Sequence, residues 1–258
     1  MDFRHHIRES IDKASPGLEV GPSFNPIAAK ADGYRTHVVD HASQATLKAK
    51  YASHAVDVER IEPVDLIDDG GSLSRLLPEG EHYRWMIASH VIEHIPDLVG
   101  FLKRCQDALA EDGRLFLIVP DHRRCFDLFR PVSTPGQVMQ AHVERRRVHP
   151  VAGLMDHYLY AATKDGALSW VGTAPGEVKL MFTAADAWRI AEPASSVYQD
   201  CHGWTFTPNS CRLVFAVLAS LGQVRLVEDE FHPTPGGGRT SWSCCARLPN
   251  PTCRHCCR

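Results

Sequence analysis

A chain of 258 residues that is 44% hydrophobic and 23% charged has the balance of a globular protein with one sizeable core. Its formal net charge of −3 leaves no broad electrostatic footprint for nucleic acid or an anionic membrane, and no stretch nears the roughly 20 apolar residues that span a bilayer. The polar start, Met1-Asp2-Phe3-Arg4-His5-His6, lacks the apolar core of a signal peptide, so a cytoplasmic location with reduced, mostly buried cysteines is expected.

Regular structure is expected to begin with a short buried strand at Leu18 to Val20, after which Pro26 is placed to open a helix. Thr36 to Asp40 reads as a second strand ending on an acid, and Ser43 to Tyr51 as a helix. Ile61 to Ile67 reads as a third strand, closed by Asp68-Asp69-Gly70-Gly71, with Ser72 capping a short helix. Trp85 to Ala88 is the fourth. Over Leu98 to Leu109, the residues Leu98, Phe101, Leu102, Cys105 and Leu109 fall on one helical face. Asp112-Gly113 then turns into Arg114 to Val119, a continuous apolar strand stopped by Pro120. Strands and helices alternating in this way predict an α/β fold with a parallel sheet covered on both faces.

Residues 121–201 break the rhythm and hold many of the histidines, arginines and aromatics. This stretch reads as an insertion over the sheet's C-terminal edge, where ligands bind in open α/β sheets. Within it, Arg145-Arg146-Arg147 reads as a solvated helix face. Thr207-Pro208 starts a helix running to about Leu221. Val224 to Phe231 and Ser241 to Ala246 read as two closing strands, joined by a loop over Pro233 to Gly238. The expected organisation is a single domain over 1–248 and a Cys-rich, disordered tail over 249–258. That tail has one C-x-x-C pair, Cys253 and Cys256, too little for a zinc site, so no metal site is assigned.

A strand ending in Glu19-Val20-Gly21 needs glycine where the backbone turns sharply toward a ligand. A second strand ending on Asp40 puts a carboxylate beside a ribose in this geometry. Those two features suit a nicotinamide nucleotide or S-adenosylmethionine equally. A dinucleotide site, however, wants G-x-G-x-x-G, whereas Gly21 is followed by Pro22-Ser23-Phe24-Asn25-Pro26. The pyrophosphate reading is therefore disfavoured.

Glu19-Val20-Gly21-Pro22, Val39-Asp40, the string Ala88-Ser89-His90-Val91-Ile92-Glu93-His94-Ile95-Pro96-Asp97, and Leu109 to Asp121 together resemble the class I S-adenosylmethionine-dependent methyltransferases, type 11-like. Phe126-Asp127-x-Phe129-Arg130-Pro131 and Asp200-Cys201-His202-x-Trp204-x-Phe206-Thr207-Pro208 resemble a bacterial subgroup that often accompanies glycosyltransferases in glycan biosynthesis. The resemblance implies a doubly wound, mostly parallel seven-stranded Rossmann-like sheet with an antiparallel last strand. It implies S-adenosyl-L-methionine as cofactor, with Glu19, Gly21 and Pro22 at the methionine portion and Asp40, beside His41, at the ribose. The Asp65 to Ser72 stretch, Gly71 included, would flank the adenine, and Ser89-His90 would close the pocket. The chain departs from the commoner E/D-x-G-x-G-x-G pattern by carrying Gly21 alone, which reads as a proline-bearing subtype.

Methyl transfer from a sulfonium needs an aligned nucleophile and, for a hydroxyl, a base. Histidine suits that role near neutral pH. His94 follows the fourth strand and His122 the fifth, while His157 and His202 lie in the insertion or at its return. Asp121 and Asp127 are placed to hold a substrate hydroxyl or a divalent ion, with a spacing not diagnostic of a metal site, and Glu93 reads as an organiser of the pocket. Trp170, Trp188 and Trp204 suggest either a platform for a sugar ring or packing of the insertion onto the sheet. The expected acceptor is a small molecule or glycan intermediate, with glycosyltransferases of one pathway as partners. A catalytically idle binding module and a nicotinamide-dependent oxidoreductase are the alternatives.

Overall fold

A computed structural model describes residues 2–172, 174–234 and 241–249. Strands β1 Gly17–Val20, β2 Thr36–Asp40, β3 Leu66–Ile67, β4 Tyr83–Ser89 and β5 Leu109–Pro120 precede a short ribbon, β6 Ala162–Lys164 with β7 Val178–Leu180, and the chain returns through β8 Val227–His232 and β9 Ser241–Arg247. The helices are α1 Phe3–Ser10, α2 Gln44–Tyr51, α3 Leu98–Ala108, α4 Pro135–Val143, α5 Val151–Leu159, α6 Ala184–Ala191 and α7 Pro208–Ser220. Seven strands form one sheet in the order β3-β2-β1-β4-β5-β9-β8. Pairings among β1 to β5 are parallel, and β9 runs antiparallel between β5 and β8. The expected mostly parallel, seven-stranded sheet with its antiparallel last strand is the fold observed.

The strands read as continuous apolar runs because both sheet faces are covered. Successive side chains alternate between the faces. Leu18, Val20, Met86, Ala88, Leu115 and Leu117 pack with Phe101 and Leu102 of α3, Val138 of α4 and Val214 of α7. Trp85, Ile87, Phe116 and Ile118 pack on the other face with Phe3 and Ile7 of α1 and with Ile27 and Tyr34. Cys105, Cys125, Cys201 and Cys211 are buried free thiols. Among the described residues no helix is long and apolar enough to cross a membrane.

Several local expectations need correcting. Pro26 opens no helix; the chain from Gly21 stays irregular until a short 3-10 turn at Lys30–Asp32. The cause is Glu19, whose buried carboxylate accepts hydrogen bonds from the amides of Ile27 at 2.7 Å and Ala28 at 3.0 Å. β3 is only two residues long. Ahead of it Pro63 has no amide to give a ladder, and Glu62 is turned to the Lys30 and Ala31 amides. β5 starts early, at Leu109, and bulges at Ala110 to Gly113 before pairing Arg114 with Trp85. Not all of residues 121–201 lie over the sheet edge, since α4 sends Val138 and Ala141 into the main core. The tail beyond Pro249, with Cys253 and Cys256, and the Pro235 to Gly238 part of the loop lie outside the described residues.

At Gly17 a methyl group would sit 2.0 Å from Cζ2 of Trp85, a ring only 2% exposed. Overpacking against an immobile ring costs about 3 kcal/mol. Gly17→Ala should lower the urea unfolding midpoint by that equivalent with an unchanged denaturant slope.

Candidate functional site

A cavity of about 700 Å³ opens at the C-terminal ends of β1 to β4, where the strand order reverses between β1 and β4 and a crevice forms in such sheets. Gly21 leaves β1 with φ +59°, and a Cβ there would stand 3.0 Å from Val91 Cγ2. Glycine is thus required for both conformation and space. Asp40 ends β2, lines the cavity and is buried; its Oδ1 accepts the His41 amide at 2.7 Å and lies 2.6 Å from His41 Nδ1. Asp68, Asp69 and Gly70 form the next wall. Arg104 of α3 holds that wall in place with two bonds to Asp68, at 2.6 and 3.0 Å. At the end of β4, His90 takes a left-handed conformation with φ +57°, unusual without glycine and common where a strand end is shaped for a ligand.

The opposite wall comes from residues 144–200. Tyr198, Asp200 and all three of Arg145, Arg146 and Arg147 line the cavity. The arginine run lies beyond the end of α4 and so is no helix face, although Arg145 and Arg147 are exposed as expected: α4 is anchored in the core, and the chain leaving it carries the run to the cavity. Arg146 Nε pairs with Glu144 at 2.6 Å.

Beside this wall lies a cluster of acids and imidazoles. Glu93 sits in the 3-10 turn Ile92–His94 and is 1% exposed. Neither of its carboxylate oxygens has a hydrogen-bond partner among the described residues. The nearest groups are His90 Nδ1 at 3.6 Å and His94 Nε2 at 4.0 Å. The Glu93 carbonyl accepts the amides of Gly203 at 2.7 Å and Trp204 at 3.1 Å, which ties the turn to the returning end of the insertion. His94 Nδ1 lies 2.8 Å from Asp200 Oδ1. Burial pulls its imidazole pKa down, but Asp200 and Glu93 outweigh this and raise it. His202 Nδ1 meets Asp127 Oδ2 at 2.5 Å, and Arg130 donates to Asp127 Oδ1 at 2.9 Å and to the His202 carbonyl at 2.8 Å. Burial of Asp127 would raise its pKa, yet His202 and Arg130 hold it far below the usual carboxylate range. The His94 and His202 rings meet edge to face, 4.7 Å between centroids. His149, bonded to the His94 carbonyl at 3.0 Å, is pushed by burial down to about 4, and His157 likewise to about 3.

Of the residues expected at the site, Gly21, Asp40, His41, His90 and His94 line the cavity, and His202 stands behind His94. The others lie elsewhere. Glu19 is beneath the loop as its pillar. Pro22 and Ser89 are not among the lining residues, whereas Ser23 is. Asp65 faces away, accepting the Val38 amide at 2.7 Å and pairing with Lys30 at 2.5 Å. Gly71 gives its carbonyl to Arg104, and Ser72 caps the following turn. Asp121 is fully buried and occupied by Arg123 and Thr234. His122 lies off the cavity, its Nδ1 3.5 Å from the Asp127 carbonyl.

The tryptophans do not assemble into a platform. Trp204 packs into the core and donates to the Ile95 carbonyl at 2.6 Å, Trp188 is exposed on α6, and Trp170 lines a separate cavity. Sequence reasoning missed Tyr198, and it missed the pairing of Asp200 and Asp127 with histidines. The strings Phe126-Asp127 and Asp200-Cys201-His202 stand out in the sequence, but nothing local says which acid meets which ring.

A family model described as a methyltransferase domain matches residues 4–172. No curated protein matches the chain. Among solved structures, the glycopeptide N-methyltransferase MtfA complexed with S-adenosyl-L-methionine shares 13% identity, with 96% of this chain and 93% of that one covered and a TM-score of 0.45. The CcbJ methyltransferase of Streptomyces caelestis shares 12%, with 96% and 90% covered and a TM-score of 0.47. A Rhodobacter sphaeroides protein provisionally named a Zn-dependent alcohol dehydrogenase shares 11%, with 97% and 91% covered and a TM-score of 0.52. Only the last of these likenesses has a TM-score above 0.5, and at 11% identity it speaks for the fold alone.

Proposed function

The chain belongs to the methyltransferase domain family; on that premise we propose that it is an S-adenosylmethionine-dependent enzyme that methylates a hydroxyl oxygen of a small, sugar-bearing acceptor. The observation that carries this reading is the pairing of His94 with Asp200 and of His202 with Asp127 beside the cavity. A hydroxyl proton must go somewhere as its oxygen attacks, and oriented imidazoles are suited to that task.

When bound, the cofactor supplies a methyl group on a positively charged sulfur. Gly21 gives the backbone room to approach it. Asp40 would hold the ribose hydroxyls, and the Asp68 to Gly70 wall would flank the adenine. The acceptor enters from the side of residues 121–201, its hydroxyl directed at the Glu93, His94 and His202 cluster. The bound sulfonium would supply the methyl group and keep the electron pair of the C–S bond, and the His94 and His202 cluster would receive, directly or through water, the proton that the acceptor hydroxyl gives up. A glycan intermediate handed on by a glycosyltransferase in the cytoplasm would present such a hydroxyl.

The test is incubation with methyl-labelled S-adenosylmethionine and a panel of nucleotide sugars and glycan extracts. Label recovered as a methyl ether supports the proposal. Label on nitrogen alone, or on nothing despite tight cofactor binding, refutes it. A narrower expectation concerns Asp40→Ala: it should weaken binding of S-adenosylhomocysteine in calorimetry by about 10- to 100-fold, the loss of a charge-assisted pair of ribose bonds.

A further inference from the structure

The cluster of acid–imidazole pairs just described also holds a set of donors that methyl transfer by itself does not call for. One ligand atom each from Glu93, His94 and His202 lie within 4.8 Å of one another. Both histidines have Nδ1 turned to a carboxylate, Asp200 for His94 and Asp127 for His202. That leaves each Nε2 as the free donor, and His94 Nε2 is 4.0 Å from Glu93 Oε1. A carboxylate behind each imidazole fixes its tautomer and raises its basicity, which is the usual support of a metal-bound histidine. Glu93 is 1% exposed and has no hydrogen-bond partner for either oxygen among the described residues. A buried carboxylate left in that state is costly unless something positive completes it.

We propose that Glu93, His94 and His202 bind one divalent first-row transition ion, of the Mn²⁺, Fe²⁺, Co²⁺ or Zn²⁺ class, at the wall of the cavity. Two imidazoles and one carboxylate suit these ions better than Mg²⁺ or Ca²⁺, which prefer all-oxygen sets. Ligand atoms about 2.1 Å from one ion stand about 3.0–3.4 Å apart when adjacent, so closure of the set asks for adjustments of the order of 1 Å in side-chain rotamers. Three protein ligands leave coordination positions open, and one of the three, His94, lines the cavity. This assignment rests on the methyl-transfer reading for its purpose and, with both Nε2 atoms on the ion, makes water rather than an imidazole the recipient of the proton: the open position would take the acceptor hydroxyl, orient its oxygen and lower the cost of releasing its proton. A second His and Glu group, His6, Glu230 and His232, carries no such case, because Glu230 already pairs with His6 at 2.8 Å on a half-exposed surface.

The full chain, stripped with a chelator, would be titrated with Mn²⁺ and followed by the loss of the free-ion paramagnetic resonance signal. Mn²⁺ is chosen because thiols bind it poorly, which discounts the C-terminal cysteines. One equivalent bound per chain is expected. Glu93→Gln and His202→Asn should each weaken it by about 100-fold or more, and Asp127→Asn by about 10- to 100-fold. Binding of S-adenosylhomocysteine, measured in parallel, identifies variants that have kept their fold. Absence of binding at millimolar Mn²⁺, Co²⁺ and Zn²⁺, or binding that folded Glu93→Gln and His202→Asn variants retain at full strength, overturns the proposal. The titration needs no acceptor, so metal binding as described with no methyl transfer to any acceptor would sink the functional reading and leave the site standing.

Discussion

Glu93→Gln is expected to lower kcat for methyl transfer by at least about 100-fold while leaving cofactor affinity within about threefold and making the metal-free protein slightly more stable. The opposed signs follow from one fact: the Glu93 carboxylate is buried without a hydrogen bond. An isosteric amide removes the charge but keeps the volume, which relieves a desolvation cost by about 1 kcal/mol. The backbone role of the residue is untouched, because Gly203 and Trp204 bond to its carbonyl and not to its side chain. Positions that are costly to the fold and necessary to the chemistry are characteristic of active sites. Single-turnover transfer, calorimetry with S-adenosylhomocysteine and urea unfolding in chelator would read the three quantities. A variant that transfers methyl groups at the wild-type rate would remove Glu93 from the reaction.

A loss of stability as large as that at Gly17 is expected at Glu19. Its carboxylate satisfies the amides of Ile27 and Ala28 in the absence of water, and Glu19→Ala leaves both donors unpaired. Two such groups cost about 3 kcal/mol together. Cofactor affinity should fall as well, since the Gly21 to Ala29 loop is held by this contact. A pH signature accompanies it. Burial raises the Glu19 pKa to about 7, against the pull of the Ile27 and Ala28 amides and of Arg4. The folded chain therefore holds a proton that the unfolded chain has released between pH 4.5 and about 7. Stability from this group is present below pH 4.5 and is lost as pH rises through 7, a decline of about 3 kcal/mol. Urea unfolding from pH 4.5 to 8 should show that decline in the wild type. Glu19→Gln should start lower and lack the slope, and a variant keeping the full slope would place the titration elsewhere.

The sheet was legible because its strands carry their own signal. Leu18 to Val20 and Arg114 to Val119 are apolar without interruption, as strands buried on both faces must be. The caps at Ser72 and Thr207 announced the starts of the turn after β3 and of α7. Gly21 and Asp40 could be placed because the crevice lies at strand ends whose order the fold dictates. The helix expected at Pro26 failed for a reason no local pattern reveals: Glu19, eight residues upstream, captures the amide of Ile27.

The acid–imidazole pairs were illegible for a similar reason at longer range. Asp127 and His202 are 75 residues apart, and their meeting depends on the path of an insertion with weak periodicity. Likewise Arg145 to Arg147 look like any charged run until α4 is seen to plant Val138 and Ala141 in the core and so bring the run to the cavity.

The two bonds that the Gly203 and Trp204 amides donate to the Glu93 carbonyl bear on how such an enzyme could change its clientele. They join the two margins of the reaction centre through main chain, which substitution does not alter. His149 crowds Gly203 so closely that a methyl group there would lie 2.5 Å from its ring, which keeps that junction narrow. The stretch over α5, the β6–β7 ribbon and α6 leaves this junction and returns to it. Descendants could exchange that stretch for another, and with it the molecule they accept, without moving the point of transfer.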